Sequence, residues 1–532
     1  MRDPATCYHA ARKCRHHPHF RSVQIPSIVL FLLLVSFGGA IAQQRLDPVA
    51  IGMGKASVAT ARGLSALSSS IGALGLDELG RYDSNQHVEV DVSVLPVGGS
   101  AGSTYLNHGD LNFVFDKKDS AIFTDADRLR ISSLLEEGRL SADAAVDLFA
   151  LRIRAPRIGA LGVHYTHRVR AQMSFPEDFR TGVLGSGSND LFNKDQLFRD
   201  PEIGGEWTRS LTVVLASSWE RINSDPKKST WFPTFGVGMS MAYVEGIVHF
   251  DVDPKSRVTT QVLPQRNGVP YQSIQVDGHY TFRSSEPIDP TFSPSDALLN
   301  SGLLNSKIAA GSGWEGGFGL AMVVLRKANI SDLEITGNPL EAQQIKISDR
   351  GTRDALLFGI DIDGIGSLEW AGKNRERNYA NIHDTVTNQL GGISNKDIYR
   401  YEAKLDTIGA FRTQLPTTLR LGLGADITAF LPDIPGDLLT SFETAFDMNH
   451  AIGGERNTRY SFGAEWRPTP GFIIRTGAQF GGRIGAAMAL GVGLRPFRWL
   501  TVDLGSSEIT SLFFADRRRI DFALRLATKV TI

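Results

Sequence analysis

The sequence predicts an all-β protein, a transmembrane antiparallel β-barrel of about 14 strands with one short helical insertion. Three observations carry this: an N-terminal export signal, no later apolar run long enough for a spanning helix, and a two-residue alternation of apolar and polar side chains that recurs along the chain.

The export signal comes first. Arg12, Lys13, Arg15 and Arg21 form a basic leader, Ile25 to Phe37 is a short apolar run, and Ala40-Ile41-Ala42 has the small-x-small form of a cleavage site. Cleavage is expected between Ala42 and Gln43, which makes residues 1–42 a signal peptide. The apolar run falls short of the roughly 20 residues that a spanning helix needs. The chain's two cysteines, Cys7 and Cys14, lie upstream of the cut, and so does the His16-His17-Pro18-His19 cluster. The exported chain is therefore expected to carry no disulfide, thiolate metal site or lipidated cysteine. A formal net charge of −1 supplies no basic field for nucleic acid.

After residue 43 no apolar run reaches the length of a membrane helix. Alternation is plainest at the C-terminus, where Ile520, Phe522, Leu524, Leu526 and Val530 interleave with Arg519, Asp521, Arg525 and Lys529. It recurs at Leu419, Leu421, Leu423 against Arg420 and Asp426, at Phe442, Phe446 and Met448 against Glu443 and Asp447, at Tyr460, Phe462 and Trp466 against Arg459 and Glu465, and at Phe472 to Phe480 around Arg475. One such segment also fits a half-buried soluble strand. Several in succession from about 416 to 532, parted by signals such as Pro468-Thr469-Pro470-Gly471, read as an up-and-down meander. Earlier strands are expected at Val88 to Val94, Leu111 to Phe115, Leu161 to Val169 and Val237 to Tyr243. Tyr460, Trp466, Phe472, Phe480 and Trp499 sit near strand ends, where an aromatic girdle belongs.

Polar stretches at about 176–207, 251–315, 327–352 and 367–400 are assigned to long loops, mostly extracellular. Between Thr124 and Leu151, cap chemistry at Thr124-Asp125 and the spacing of Leu129, Ile131, Leu134 and Leu135, followed by Ser141 to Leu151, predict two short amphipathic helices.

Charges on the polar faces are the most informative side chains. Each would cost about 2–4 kcal/mol against lipid at midplane, so Arg420, Asp426, Glu443, Asp447, Arg459, Glu465, Arg467, Arg475, Asp521, Arg525 and Lys529 are expected to face the lumen. Their near balance of sign suggests a network across the interior, either structural or selective for a permeant. No nucleophile elbow, phosphate loop, zinc helix or dinucleotide fingerprint occurs. Asp361-Ile362-Asp363-Gly364 has the start of a calcium loop without its remaining ligands, and Gly481 to Gly485 reads as a turn. His164 and His167, which a barrel hydrolase would need beside an acid, fall on opposite faces of one strand. No catalytic residue, metal ligand or cofactor is assigned.

The segment Asp47 to Leu76 resembles the opening of outer-membrane barrels related to the FadL transporters and PorV of Bacteroidota and Chlorobi. Gly52-Met53-Gly54-Lys55-Ala56 and Leu74-Gly75-Leu76 match the family pattern, while Ser70-Ile71-Gly72 stand where Asn-Pro-Ala is usual. Leu111 to Phe115, the Phe123-Thr124-Asp125 helix start and Met173 to Phe179 are similar to the DUF5723-type Bacteroidota barrels. The resemblance implies that residues 43–82 fold inward as a plug or hatch and that 83–532 form the barrel. It further implies residence in the outer membrane, contact with its lipid and with the barrel-assembly machinery, and a non-enzymatic transport role for small, hydrophobic molecules. A non-transporting structural or secretion-associated barrel stays open beside it.

Overall fold

The computed structural model describes residues 47–76 and, between 88 and 531, the strands named below with their immediate flanks. Fourteen antiparallel strands close on themselves. The first, β1, is Glu89–Val94 continued by Val97–Ser103 across the break at Pro96. There follow β2 (Arg139–Ala155), β3 (Gly159–Ser174), β4 (Glu202–Trp219), β5 (Thr234–Val252), β6 (Gly311–Ala328) and β7 (Thr352–Trp370). Next, β8 joins Phe411–Gln414 to Thr418–Asp426, and β9 (Ser441–Ala451), β10 (Thr458–Thr469), β11 (Phe472–Gly481), β12 (Gly485–Phe497), β13 (Leu500–Ser506) and β14 (Arg519–Thr531) complete the wall. Each pairs with its neighbours in the chain, and β14 closes the ring on β1 with Glu89 opposite Thr531 and Val97 opposite Leu524. Closure leaves no unpaired edge, which is the condition for a sheet to live in hydrocarbon.

Closure also orients the molecule. Because Glu89 meets Thr531, the first strand's start and the last strand's finish share one end. At that end Thr469 pairs with Phe472 and Phe497 with Leu500, leaving two residues between each pair, whereas 104–138, 175–201, 253–310 and 371–410 connect strands at the opposite end. Above the wall at the opposite end, Ser273–Ser284 pairs with Glu376–Thr387 and Arg257–Leu263, and Tyr401–Thr407 and Gln196–Arg199 extend that sheet. Of the loops expected to be extracellular, 327–352 instead joins β6 to β7 at the end that carries the termini, and it contains the hairpin Leu333–Thr336 with Gln344–Ile347.

The outer face is apolar. Met239, Met241, Phe318, Phe462, Leu490, Leu504 and Leu524 stand between 40% and 61% exposed, as lipid-facing side chains do. Trp219, Trp466, Phe497 and Trp499 mark this face near the end that carries the termini, with Phe497 and Trp499 stacked at 5.4 Å, and Tyr460 and Phe480 lie toward the other. An aromatic ring combines an apolar body with an interfacial preference, so its place is where lipid meets water.

One expectation is corrected. Ser141 to Leu151 is not helical but part of β2. Its pairing with β3 shifts register between Asp147 and Phe149. The extra residue of this bulge reverses the alternation, so apolar side chains at Val146 and Phe149 fall three apart although both point outward, which imitates a helical spacing. The preceding segment 124–138 and the strand expected at Leu111 to Phe115 lie outside the described residues.

Candidate functional site

Residues 47–76 lie within the wall. Twenty of these thirty residues are alanine, glycine, serine or leucine, and the small ones let the backbone approach its surroundings closely. Helix α1 (Pro48–Gly52) starts at Asp47, whose Oδ2 accepts the Ala50 amide at 3.2 Å while Pro48 occupies the first turn, where no amide is needed. Helix α2 (Leu64–Ser69) begins after Gly63, and a 3₁₀ turn spans Gly72–Gly75. The segment touches all fourteen strands in turn: Pro48 lies on β13, Gly52 on β12, Met53 on β10 and β11, Val58 on β8 and Ile71 on β5 and β6.

Glycines in the wall make this approach possible. A Cβ on Gly477 would lie 2.3 Å from the Met53 carbonyl carbon, one on Gly505 2.3 Å from the Pro48 oxygen, and one on Gly238 2.5 Å from the Ile71 oxygen. On the segment's side, a Cβ on Gly52 would meet the Gly491 Cα at 2.8 Å. Much of the glycine in the alternating strands is thus a seat for another backbone.

Ionic contacts supplement the steric fit. The Lys55 ammonium meets Asp521 Oδ2 at 3.0 Å, both side chains buried, and Ser507 Oγ donates to the same carboxylate. Lys55 also holds a left-handed φ of 69° directly after Gly54, a conformation that surrounding structure must enforce. The amides of Ser57 and Val58 donate to Asp447 Oδ2 at 2.5 and 2.8 Å. The Ile71 amide donates to Asp361 Oδ1 at 2.8 Å, and Arg420 donates to the Ser68 and Ser69 oxygens at 3.2 Å while pairing with Asp363 at 2.8 Å. Arg152, fully buried, reaches Asp91 at 2.7 Å, Glu89 at 3.1 Å and the Leu74 oxygen at 3.4 Å.

One row of charges runs along the wall toward the segment's start. Arg467 pairs with Glu465, Glu465 with Arg475 at 2.7 Å, Arg475 with Asp503 at 2.8 Å, Asp503 with Arg525 at 2.8 Å, and Arg525 with Asp47 at 2.7 Å. Burial pushes the Asp47 carboxyl above the ordinary carboxylate range, against the pull of Arg525. Gly493, opposite Asp503, leaves room for Arg475 to cross β12.

Of the charges singled out in the sequence, Arg420, Asp426, Glu443, Asp447, Glu465, Arg475 and Asp521 are buried. Arg525, Arg467, Arg459 and Lys529 are partly buried, and Lys529 pairs with Glu89 at 3.2 Å. Asp426 stands opposite Glu443, which stands opposite Glu465, so three acids share one level of the wall. Sequence reasoning missed Asp47, Lys55, Arg152 and Asp503. The last two sit on polar sides of strands and were open to the same argument, whereas Asp47 and Lys55 precede the alternating region. Asp361 and Asp363, which suggested a calcium loop, belong to β7 and face this segment and Arg420. His164 bonds Thr166 at 3.1 Å, while His167 packs its ring on Tyr165 at 5.4 Å.

A second inner patch lies farther from the termini. Ala242, Val244, Ala310, Leu368 and Trp370 form a buried cluster with Phe411 and Leu415 against it. The His249 ring lies 4.9 Å from that of Trp370 and 5.4 Å from that of Phe411. Gly246 and Gly311 give the Trp370 ring its space.

No family model matches the sequence, and no curated protein does. Among solved structures the chain is similar to the Ralstonia pickettii toluene transporter TbuX, at 12% identity over 93% of this chain and 99% of that one, with a TM-score of 0.38. It is similar also to a TodX monoaromatic hydrocarbon channel carrying the deltaS2 mutation, at 10% identity over 91% and 97%, with a TM-score of 0.40. A third likeness is to the CymD monoaromatic hydrocarbon channel, at 10% identity and a TM-score of 0.36 over 92% of this chain and 97% of that one. The barrel assignment rests on the strand pairing, not on these likenesses.

Proposed function

We propose that this chain is an outer-membrane channel whose lumen is closed by its own N-terminal segment, and that it passes small hydrophobic molecules. The carrying observation is the seat of residues 47–76: contact with every strand and close fits against wall glycines, held by Asp47, Lys55 and the amides on Asp447, inside a wall whose outer face is apolar. An export signal, a closed barrel and connections that are longest away from the termini support the outer membrane as its place. The hydrophobic character of the permeant is supported by the family resemblance of Asp47 to Leu76 and by the apolar inner patch around Trp370, which offers a first resting place above the ionic floor.

The test is uptake by reconstituted vesicles. Folded chain, identified by a boiling-dependent shift in gel mobility, should admit a monoaromatic tracer faster than protein-free vesicles, after correction for its permeation through lipid. Leu368→Asp should lower that rate while leaving the gel shift intact. Equal entry with and without the protein would instead favour the second reading, a structural or secretion-associated barrel. That reading draws on the continuous ionic row from Arg467 to Asp47, which braces a wall as readily as it lines a passage.

A further inference from the structure

The backbone of His249 is pinned and its ring is not. Its amide donates to Ser285 Oγ at 2.7 Å, and its oxygen accepts the Ser285 amide at 2.8 Å. The residue is 7% exposed, yet neither Nδ1 nor Nε2 has a hydrogen-bond partner, and Asp251 Oδ2 stands 3.7 Å from Nε2, beyond bonding distance. By contrast, His164 and His450 each reach a threonine hydroxyl, at 3.1 and 2.9 Å. A buried polar ring left open in this way asks for a partner that the chain does not supply.

The surroundings define the chemistry of that partner. Trp370 and Phe411 flank the imidazole at 4.9 and 5.4 Å, and Leu368 belongs to the same apolar cluster. The Trp370 ring is fixed in place: Cβ atoms on Gly246 and Gly311 would come within 2.3 and 2.9 Å of it, and its Nε1 donates to Thr413 Oγ1 at 3.0 Å. Phe411 is only partly buried, so the cluster opens on its side. Across the strand pair, Glu206 stands opposite His249 and is taken by Arg170 at 3.1 Å. A water on the imidazole would therefore find few of the roughly two to four polar partners it needs. An imidazole always offers a donor and, when neutral, an acceptor as well; a hydroxyl is both and suits either form. A carboxylate would meet the like charge of Asp251, and a plain hydrocarbon would leave both nitrogens open.

We propose that this patch binds neutral aromatic alcohols of the phenol class, the guest's ring against Trp370 and Phe411 and its hydroxyl on the His249 imidazole. The aromatic pair selects for the ring and His249 for the hydroxyl. That such a guest also crosses the membrane rests on the channel reading above; its binding does not.

The test is equilibrium binding of phenol, toluene and benzoate to the folded full-length chain in vesicles, corrected for uptake by protein-free lipid. Toluene carries a methyl where phenol has its hydroxyl, so the pair isolates the hydrogen bond. His249→Phe, which keeps a ring and removes the nitrogens, should weaken phenol about tenfold and change toluene by less than about twofold. His249→Gln, which restores a donor and an acceptor, should recover most of the phenol affinity, and benzoate should bind the unmodified protein more weakly than phenol. Phenol unaffected by His249→Phe, phenol and toluene weakened alike, or benzoate as the tighter guest overturns the proposal. A readout that needs no variant is the ring-nitrogen resonances of protein carrying isotope-labelled histidine. Phenol should shift those of one histidine and toluene should not; no shift, or the same shift with both, overturns the site. Phenol held through His249 but entering vesicles no faster than protein-free ones leaves the site standing and overturns the channel reading. Faster entry without His249-dependent binding does the reverse.

Discussion

Arg475 shows how a single side chain can be committed on both sides. It bridges Glu465 and Asp503 with its side chain almost wholly buried, so removing it strands two carboxylates inside the barrel. Arg475→Met should therefore cost about 3–5 kcal/mol of unfolding stability in vesicles, followed by tryptophan fluorescence in urea, and Glu465→Gln added to it should recover part of the loss. A neutral single variant would remove the ionic row from the account. Lys55 is the counterpart on the lumen segment. Its strained φ and its pair with Asp521 are coupled, so Lys55→Met should raise the basal conductance by freeing the turn at Gly54 while the barrel still shows its gel shift. The inward charges of β8 to β14 were legible because each lies on the polar side of an alternation. Their partners were not, since Lys55 and Asp521 are 466 residues apart and no local pattern connects them.

At the scale of the element, strands were readable where register runs unbroken. In β14 the pairing with β13 runs from Ala523 opposite Gly505 to Thr528 opposite Leu500 without a shift, and the alternation in sequence is equally regular. In β2 the bulge at Asp147 to Phe149 broke the rhythm, and the strand imitated the second of the two expected helices. Wall glycines were legible as sites of close approach, but what approaches them was not, because a glycine has no side chain to declare its partner. Their role gives a direct prediction. Gly477→Val would drive a side chain into the Met53 carbonyl and should unseat residues 47–58, making them susceptible to protease from the end that carries the termini. Gly471→Val, at a turn where the nearest atom is the Arg495 oxygen at 3.4 Å, should leave that susceptibility unchanged.

Across the whole molecule, two surfaces divide the chemistry of one sheet. The period of two that places Phe522 and Leu524 toward lipid places Asp521 and Arg525 toward the interior, where charge is affordable only because the lumen segment and the facing strands answer it. The segment in turn has too few large side chains to fold alone and takes its structure from the wall. Closure of the lumen is therefore the central claim, and conductance of single molecules in a planar bilayer, with residues 47–76 present or deleted, tests it most directly. The account predicts that the full chain is closed for most of the record and that the deleted barrel, if folded by its gel shift, conducts steadily. A folded deletion barrel as closed as the full chain would contradict it, because something other than residues 47–76 would then fill the interior.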